Sequence, residues 1–304
     1  MIIGIKDYLN EELKLILNNL NELFNKVWST AKLRSYSEGD TSVLDELWKA
    51  LVDFGLFEFF RDAKPRDAAI LMEEASSRLP PGIVITTIIG AVATGNELGN
   101  EKYEGKLKIS ISSTANMAPE AHRADVIVIG DNLIWKDDAS VKPLNSFDNS
   151  MRWCQVNFRR STKVSVNRDL VALLLSAAIV GTGKPPLELS VDYAKKRIAF
   201  GRSIGAFQAV KHKLVNMALN IELARSLYLR AADDLKLAPM ALDYASRIIP
   251  NTIRDSIQVH GGIGFTDELD LHLYLRRSVT LSKVYGFNMD ELWESYDRSR
   301  AREV

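Results

Sequence analysis

The sequence holds a single cysteine, Cys154, among 304 residues. One thiol excludes an intrachain disulfide and a cysteine-built metal centre, and it suits a chain kept in a reducing, cytoplasmic compartment. An excess of charge is missing too: 39 Lys plus Arg stand against 39 Asp plus Glu. That balance argues against a polybasic contact with nucleic acid or with a membrane. No run reaches the roughly 18 apolar residues of a membrane span. The longest, "LVALLLSAAIVG" at 170–181, has the length of a buried core helix. The opening "MIIGIKDYLNEELKL" carries acids where a secretion leader needs a basic start and an apolar run. His122, His212, His260 and His272 are too scattered for ligand spacing, so no metal site is expected.

What is present reads as helix, then a little strand, then helix. Residues 6–60 and 66–100 have helical periodicity: Leu44, Leu47, Leu51 and Phe54 recur at steps of three and four behind a Thr41 or Ser42 cap. Between 104 and 163, "KLKISISST", "ADVIVIGDNLIWKDD" and "MRWCQVNFRR" are short β-branched runs, with "GDN" as a hairpin turn. Cys154 falls in one of these runs, where an inert buried thiol is expected. Beyond 164, Phe207, Val210, Leu214, Met217, Ile221, Ala224 and Leu227 form one apolar stripe, read as core. The expected organisation is an N-terminal helical domain (1–103), a shortened β domain (104–163) and a C-terminal four-helix bundle (164–304). The class is mainly α.

Two glycine motifs need separating. "VGTGKPP" at 180–186 lacks the upstream glycine of a phosphate loop, and Pro185 stands where Ser or Thr should hold magnesium. It reads as a break between two helices. "GGIG" at 261–264 follows a helix rather than a strand, which excludes the usual dinucleotide fingerprint. Downstream, Thr266 is placed to cap a helix whose first turn holds Asp267, Glu268 and Asp270. Asp270, His272 and Arg276 or Arg277 form an alternative buried polar group. Pro250, ahead of the turn, should kink or divide its helix.

"YAKKRIAFGRSIGAFQAVKHKLVNM" (193–217) and "QVHGGIGFTDELDLHLYLRR" (258–277) together resemble the acyl-CoA dehydrogenase family, in the family's order and separation. The short chain and its "DLHLYLRR" most resemble the small subunits of heteromeric members. The resemblance implies FAD held where two chains meet. Arg197 would contact the pyrophosphate, Phe200 and Ile204 would cover apolar faces, and Gln208 would hydrogen-bond to the dinucleotide. From the other chain, Gln258 and the backbone of Gly261 and Gly262 would approach the phosphates or adenosine. It implies an acyl-CoA substrate, an electron-transfer flavoprotein as acceptor, and a second family subunit or self-association. The plain alternative for Arg197 and Gln208 is pairing with acids on adjacent helices.

The sequence departs from the family at the catalytic base. The usual glutamate position falls on Tyr285, before Gly286, and the other known place falls on or near Val171. Tyrosine, with a reference pKa near 10, stays protonated at neutral pH. Asp169 and Asp270 are the remaining acid candidates within this chain. The expected function is therefore a flavin-dependent acyl-CoA dehydrogenase subunit whose partner supplies the glutamate. The contrasting expectation is a non-catalytic binding or scaffold protein that keeps the fold.

Overall fold

A computed structural model describes residues 9–286. Six helices come first: α1 (Glu11–Val27), α2 (Thr30–Glu38), α3 (Ser42–Asp53), α4 (Leu56–Asp62), α5 (Pro65–Ser77) and α6 (Gly82–Ala93). Asn10 caps α1 through a 2.8 Å bond from the Leu13 N–H, and Leu13, Leu17, Leu20 and Phe24 then line one buried face. In α3 the expected Leu44, Leu47 and Leu51 are buried. The expected cap differs: Thr41 makes no side-chain cap bond, and the N–H and hydroxyl of Ser42 instead donate to Asp40 Oδ1. The helical segment stops at Ala93, short of 100, and turns occupy 94–105.

The β region holds a four-stranded and a three-stranded sheet. In the first, β1 (Ile109–Ser112) runs parallel to β3 (Val126–Ile129), which pairs with β4 (Asn132–Trp135), which pairs with the two-residue β7 (Thr162–Lys163). The "GDN" hairpin joins β3 to β4 as expected, with Gly130 at φ +55°. In the second sheet, β6 (Trp153–Phe158) lies between β2 (Ala118–Pro119) and β5 (Ala139–Pro143). Cys154 is buried there beside the His122 ring at 3.3 Å, and burial pushes its thiol up to about 11. Helix α6 lies so close to β1 that a Cβ on Gly90 would meet Ile109 at 2.5 Å.

The C-terminal bundle comprises α7 (Arg168–Lys196), α8 (Gln208–Asp233), α9 (Ala238–His260) and α10 (Leu271–Leu281). The expected helix breaks are absent here. The "VGTGKPP" segment does not break the chain into two helices: α7 runs unbroken through Pro185 and Pro186. Likewise Pro250 does not divide α9. An interior proline costs about 3 kcal/mol in a helix. Burial against neighbouring helices offsets it, since α7 packs on α5, α8 and α9. The glycines serve that packing. A Cβ on Gly181 would sit 2.2 Å from the Glu73 carbonyl oxygen, and one on Gly183 would crowd Ile221 and Ile249. Helix α7 is long and apolar enough to cross a membrane, yet 83% of its apolar window is buried inside the protein. On α8 the stripe is core at Met217, Ile221 and Ala224, while Phe207, Val210, Leu214 and Leu227 are only half-buried.

Candidate functional site

Arg197 ends α7, its N–H bonding the Tyr193 carbonyl at 2.8 Å. The chain then folds into a tight hairpin of β8 (Ile198–Ala199) and β9 (Arg202–Ser203). Phe200 and Gly201 form its turn at φ +53° and +75°, the left-handed pair that a two-residue hairpin favours. Glycine adopts this freely. Phenylalanine is strained there by roughly 1–2 kcal/mol. The ring gains little burial in return, because Phe200 is 96% exposed and meets Phe207 edge to face. Ile198 is exposed as well. Ile204 is half-buried in a 3-10 turn seated on α7, and Gln208 opens α8 in the exposed position. Neither Arg197 nor Gln208 pairs with an acid among the described residues. The plain alternative for these two side chains therefore fails, and both are free to meet a ligand.

The glycine turn lies at the same end of the bundle. Helix α9 stops at His260, and Gly261 (φ +64°) begins a 3-10 turn through Phe265. The three glycines do different work. A Cβ on Gly264 would strike the Ile257 carbonyl at 2.5 Å, so Gly264 is needed by the fold. A Cβ on Gly261 or Gly262 would meet nothing within 4 Å. At Gly262 neither crowding nor positive φ accounts for glycine, leaving a backbone open to close approach from outside. Gln258 is exposed beside it. The Tyr193 ring stacks on His260 with centroids 4.5 Å apart, which places the arginine hairpin and the glycine turn side by side. The resemblance assigned the two segments to different chains; one chain presents both on one end. A guanidinium, open backbone amides and an uncovered aromatic are the donor set and apolar surface that a flavin dinucleotide requires.

The place counted for the family's glutamate holds a buried tyrosine. Tyr285 is buried at 4% exposure, where burial raises its phenol above the ordinary value, and it hydrogen-bonds Arg168. Arg168 also reaches Asp131 at 3.0 Å, so the tyrosine is tied to the β3–β4 hairpin. The flanking backbone is fixed too: Ser112 Oγ donates to the Val284 carbonyl, and the Gly286 N–H reaches Ser113 Oγ at 3.0 Å. Val171 is fully buried. Asp169 sits in the first turn of α7, half-buried, its carboxyl raised by burial and next by the charge of Asp234.

The acid cluster differs from expectation. Helix α10 begins at Leu271, so Asp267 and Glu268 precede it, Asp270 is its N-terminal flanking residue, and Thr266 bonds back to the Ile263 carbonyl instead of capping. Asp270, His272, Arg276 and Arg277 do not form one group. Asp270 pairs with Arg34 of α2 at 2.8 Å, His272 faces Asp267 at 3.4 Å, and Arg276 lies over Phe147. Arg277 is 1% exposed and bonds Asp148, Ser150 and the Pro80 carbonyl, pinning α10 to both preceding regions. Asp270 is thus a structural ion-pair partner.

Two buried networks escape sequence reading. Arg225 forks onto Glu73, with the Tyr228 hydroxyl and Glu222 joining, and so links α8 to α5. The available signal was an arginine interrupting the apolar stripe of α8. The second joins Tyr36 of α2 to Glu120, which also accepts the Arg152 N–H at 2.7 Å.

Comparison with known proteins places the chain in context. The model "Acyl-CoA dehydrogenase, C-terminal domain" matches residues 169–286. The chain is 26% identical to acyl-CoA dehydrogenase IpdE2 of Mycolicibacterium smegmatis over 303 residues, covering 93% of this chain and 97% of that protein. It is 28% identical to acyl-CoA dehydrogenase FadE34 of Mycobacterium tuberculosis, covering 80% of this chain and 40% of that one. Among solved structures, the Tcur3481-Tcur3483 steroid ACAD variant superposes with TM-score 0.82 at 19% identity, over 96% of this chain and 99% of that one. The ChsE4-ChsE5 complex from Mycobacterium tuberculosis gives 0.75 at 16%, over 96% and 98%.

Proposed function

We propose that this chain, which belongs to the acyl-CoA dehydrogenase family, is the subunit of a heteromeric flavin-dependent acyl-CoA dehydrogenase that helps to hold FAD while a partner chain supplies the catalytic carboxylate. One observation carries this reading. Arg197 and Gln208 take no acidic partner among the described residues, whereas Tyr285, at the place counted for the family's glutamate, is buried and neutral. FAD, when bound, would supply the hydride acceptor for α,β-dehydrogenation of an acyl-CoA thioester.

This chain's own residues bind and orient. Arg197 offers a fork of N–H donors to a phosphate. Gly261 and Gly262 let backbone amides come within contact distance, and Phe200 covers an apolar face of a ring. Gln208 and Gln258 add hydrogen bonds. Both segments then serve one dinucleotide from this chain's end, and the remaining contacts and the base come from the neighbouring subunit. Electrons would leave to an electron-transfer flavoprotein.

The test is an assay of the purified chain alone and assembled with a family member that keeps the glutamate, using an artificial electron acceptor and bulky acyl-CoA substrates. Activity only in the assembly is expected. Full activity from this chain alone would overturn the proposal.

A further inference from the structure

A second concavity lies away from the dinucleotide end, at the opposite end of β4 from its hairpin. Its volume is about 510 Å³, and its lining includes Trp135, Arg159, Arg160, Asp138, Ser161 and Thr162. Trp135 is 45% exposed on the last residue of β4, while Leu133, two residues earlier on the same face, is buried. The indole therefore stands at the rim with an uncovered face. Strand β7 pairs only with Asn132 and Leu133, so it stops short of Ile134 and Trp135 and leaves the cleft open along that edge.

Arg159 and Arg160 are adjacent and exposed, and neither takes an ion pair among the described residues. The Arg159 backbone N–H is bonded to the Asp138 carbonyl at 2.9 Å, which fixes the loop that carries both guanidinium groups. Asp138 is the one acid that lines the cleft with the two arginines, so the lining carries a net positive charge. The lining thus combines a flat aromatic face, two forked donors suited to a phosphate, two hydroxyls and one carboxylate acceptor. No step of the function proposed above uses any of these residues.

We propose that this cleft is a binding site for an adenine nucleotide. The purine stacks on Trp135, the phosphates take Arg159 and Arg160, and Asp138 with the Ser161 and Thr162 hydroxyls receives the sugar or the exocyclic amine. Four residues of strand, about 13 Å, separate Trp135 from Asp131, which ion-pairs Arg168 beside Tyr285. Arg168 opens the 29-residue α7 and Arg197 ends it, so the cleft lies toward the opposite end of that helix from the arginine hairpin and the glycine turn.

Titration calorimetry on the FAD-saturated assembly with ADP tests this, because saturation removes the dinucleotide site as a competitor. ADP is expected to bind, with inorganic phosphate and adenosine each at least about tenfold weaker, since each supplies half of the recognition. Arg159→Gln with Arg160→Gln should weaken ADP by about tenfold or more, and Trp135→Ala by about fivefold or more, with flavin content and melting temperature unchanged. No heat at millimolar ADP would overturn the proposal. So would ADP binding that neither variant alters, or phosphate binding as tightly as ADP.

Discussion

Tyr193 and His260 stack with ring centroids 4.5 Å apart and planes 28° from parallel, one turn before Arg197 and one residue before Gly261. The His260 ring is oriented by a 2.8 Å contact from Nδ1 to the Ser256 carbonyl, and Ser256 in turn bonds Ser190 of α7. This contact keeps the arginine hairpin in register with the glycine turn. Aromatic pairs contribute about 0.5–1.5 kcal/mol beyond their burial. Tyr193→Ala is therefore expected to weaken FAD binding by about three- to tenfold in the assembled protein while the fold survives, as read by flavin fluorescence titration. Unchanged FAD affinity would show that the two segments are aligned by other means.

A direct test of the proposed dinucleotide site is Arg197→Ala. The side chain is exposed and without an acidic partner among the described residues, so its loss should leave the fold intact. FAD binding should fall by about 1.5–3 kcal/mol, the scale of a hydrogen bond to a charged group. Flavin content equal to the parent would remove Arg197 from the site.

The Glu73–Arg225 pair is a stability prediction. Both side chains are more than nine-tenths buried, and Arg225 is held firmly protonated, well above its ordinary range, by Glu73, Tyr228 and Glu222 despite desolvation. Arg225→Met alone strands a buried carboxylate and is expected to cost about 3–5 kcal/mol. Adding Glu73→Leu should recover most of that loss, because two apolar groups can replace a buried ion pair. Chemical denaturation of the single and double variants measures the difference. A double variant as unstable as the single one would contradict the stranded-charge account.

Within the β region, two residues oppose each other in pH. Burial raises the Glu120 carboxyl to about 7 against the bonds from Tyr36 and Arg152 and the charges of Arg123 and Arg277. Burial, with Arg123, Arg152 and Lys136, lowers His122 to about 4. Glu120 gives stability that is complete below the unfolded carboxylate range and lost as pH rises through about 7. His122 gives stability that is complete above the unfolded imidazole value and lost as pH falls through about 4. The two slopes cancel in part between pH 4.5 and 6.5. In Glu120→Gln, stability should rise with pH across that window; in His122→Asn it should fall, by at most about 3 kcal/mol. Melting temperatures of the two variants between pH 4.5 and 7 check the opposite signs.

Much of this molecule was legible from periodicity. The helix–strand–helix order and the core face of α8 from Met217 to Ala224 follow from spacing, and the "GDN" hairpin follows from its turn residues. What misled was local punctuation. Pro185, Pro186 and Pro250 read as breaks, because the enclosing helices that sustain α7 and α9 are set by distant segments. The roles of the "GGIG" glycines were only half visible: their composition marks a turn, but only the surroundings separate Gly264, needed by the fold, from Gly262, left open. Asp270 drew attention as an acid near a helix start, and its partner Arg34 lies 236 residues away. No window of sequence could pair them.

The remaining question is whether any acid of this chain does the work of a base. Asp169 is the one worth testing: it is half-buried, and burial, then the charge of Asp234, raises its carboxyl above the ordinary value. It lies two residues from Val171, and two helical steps turn a side chain by about 200°, so it leaves the face that the buried Val171 occupies. A positioned general base is worth about 10² to 10⁴ in rate. If the partner provides that base, Asp169→Asn in this chain should leave kcat of the assembly within about twofold, whereas removing the partner's glutamate should cost the full factor. Tyr285→Phe gives the complementary reading. Its loss of the Arg168 bond should lower stability by about 0.5–1.5 kcal/mol without changing kcat, because a phenol raised above its ordinary value accepts no proton at neutral pH. A fall in kcat of a hundredfold in Asp169→Asn, with stability and flavin content retained, would move the base back into this chain.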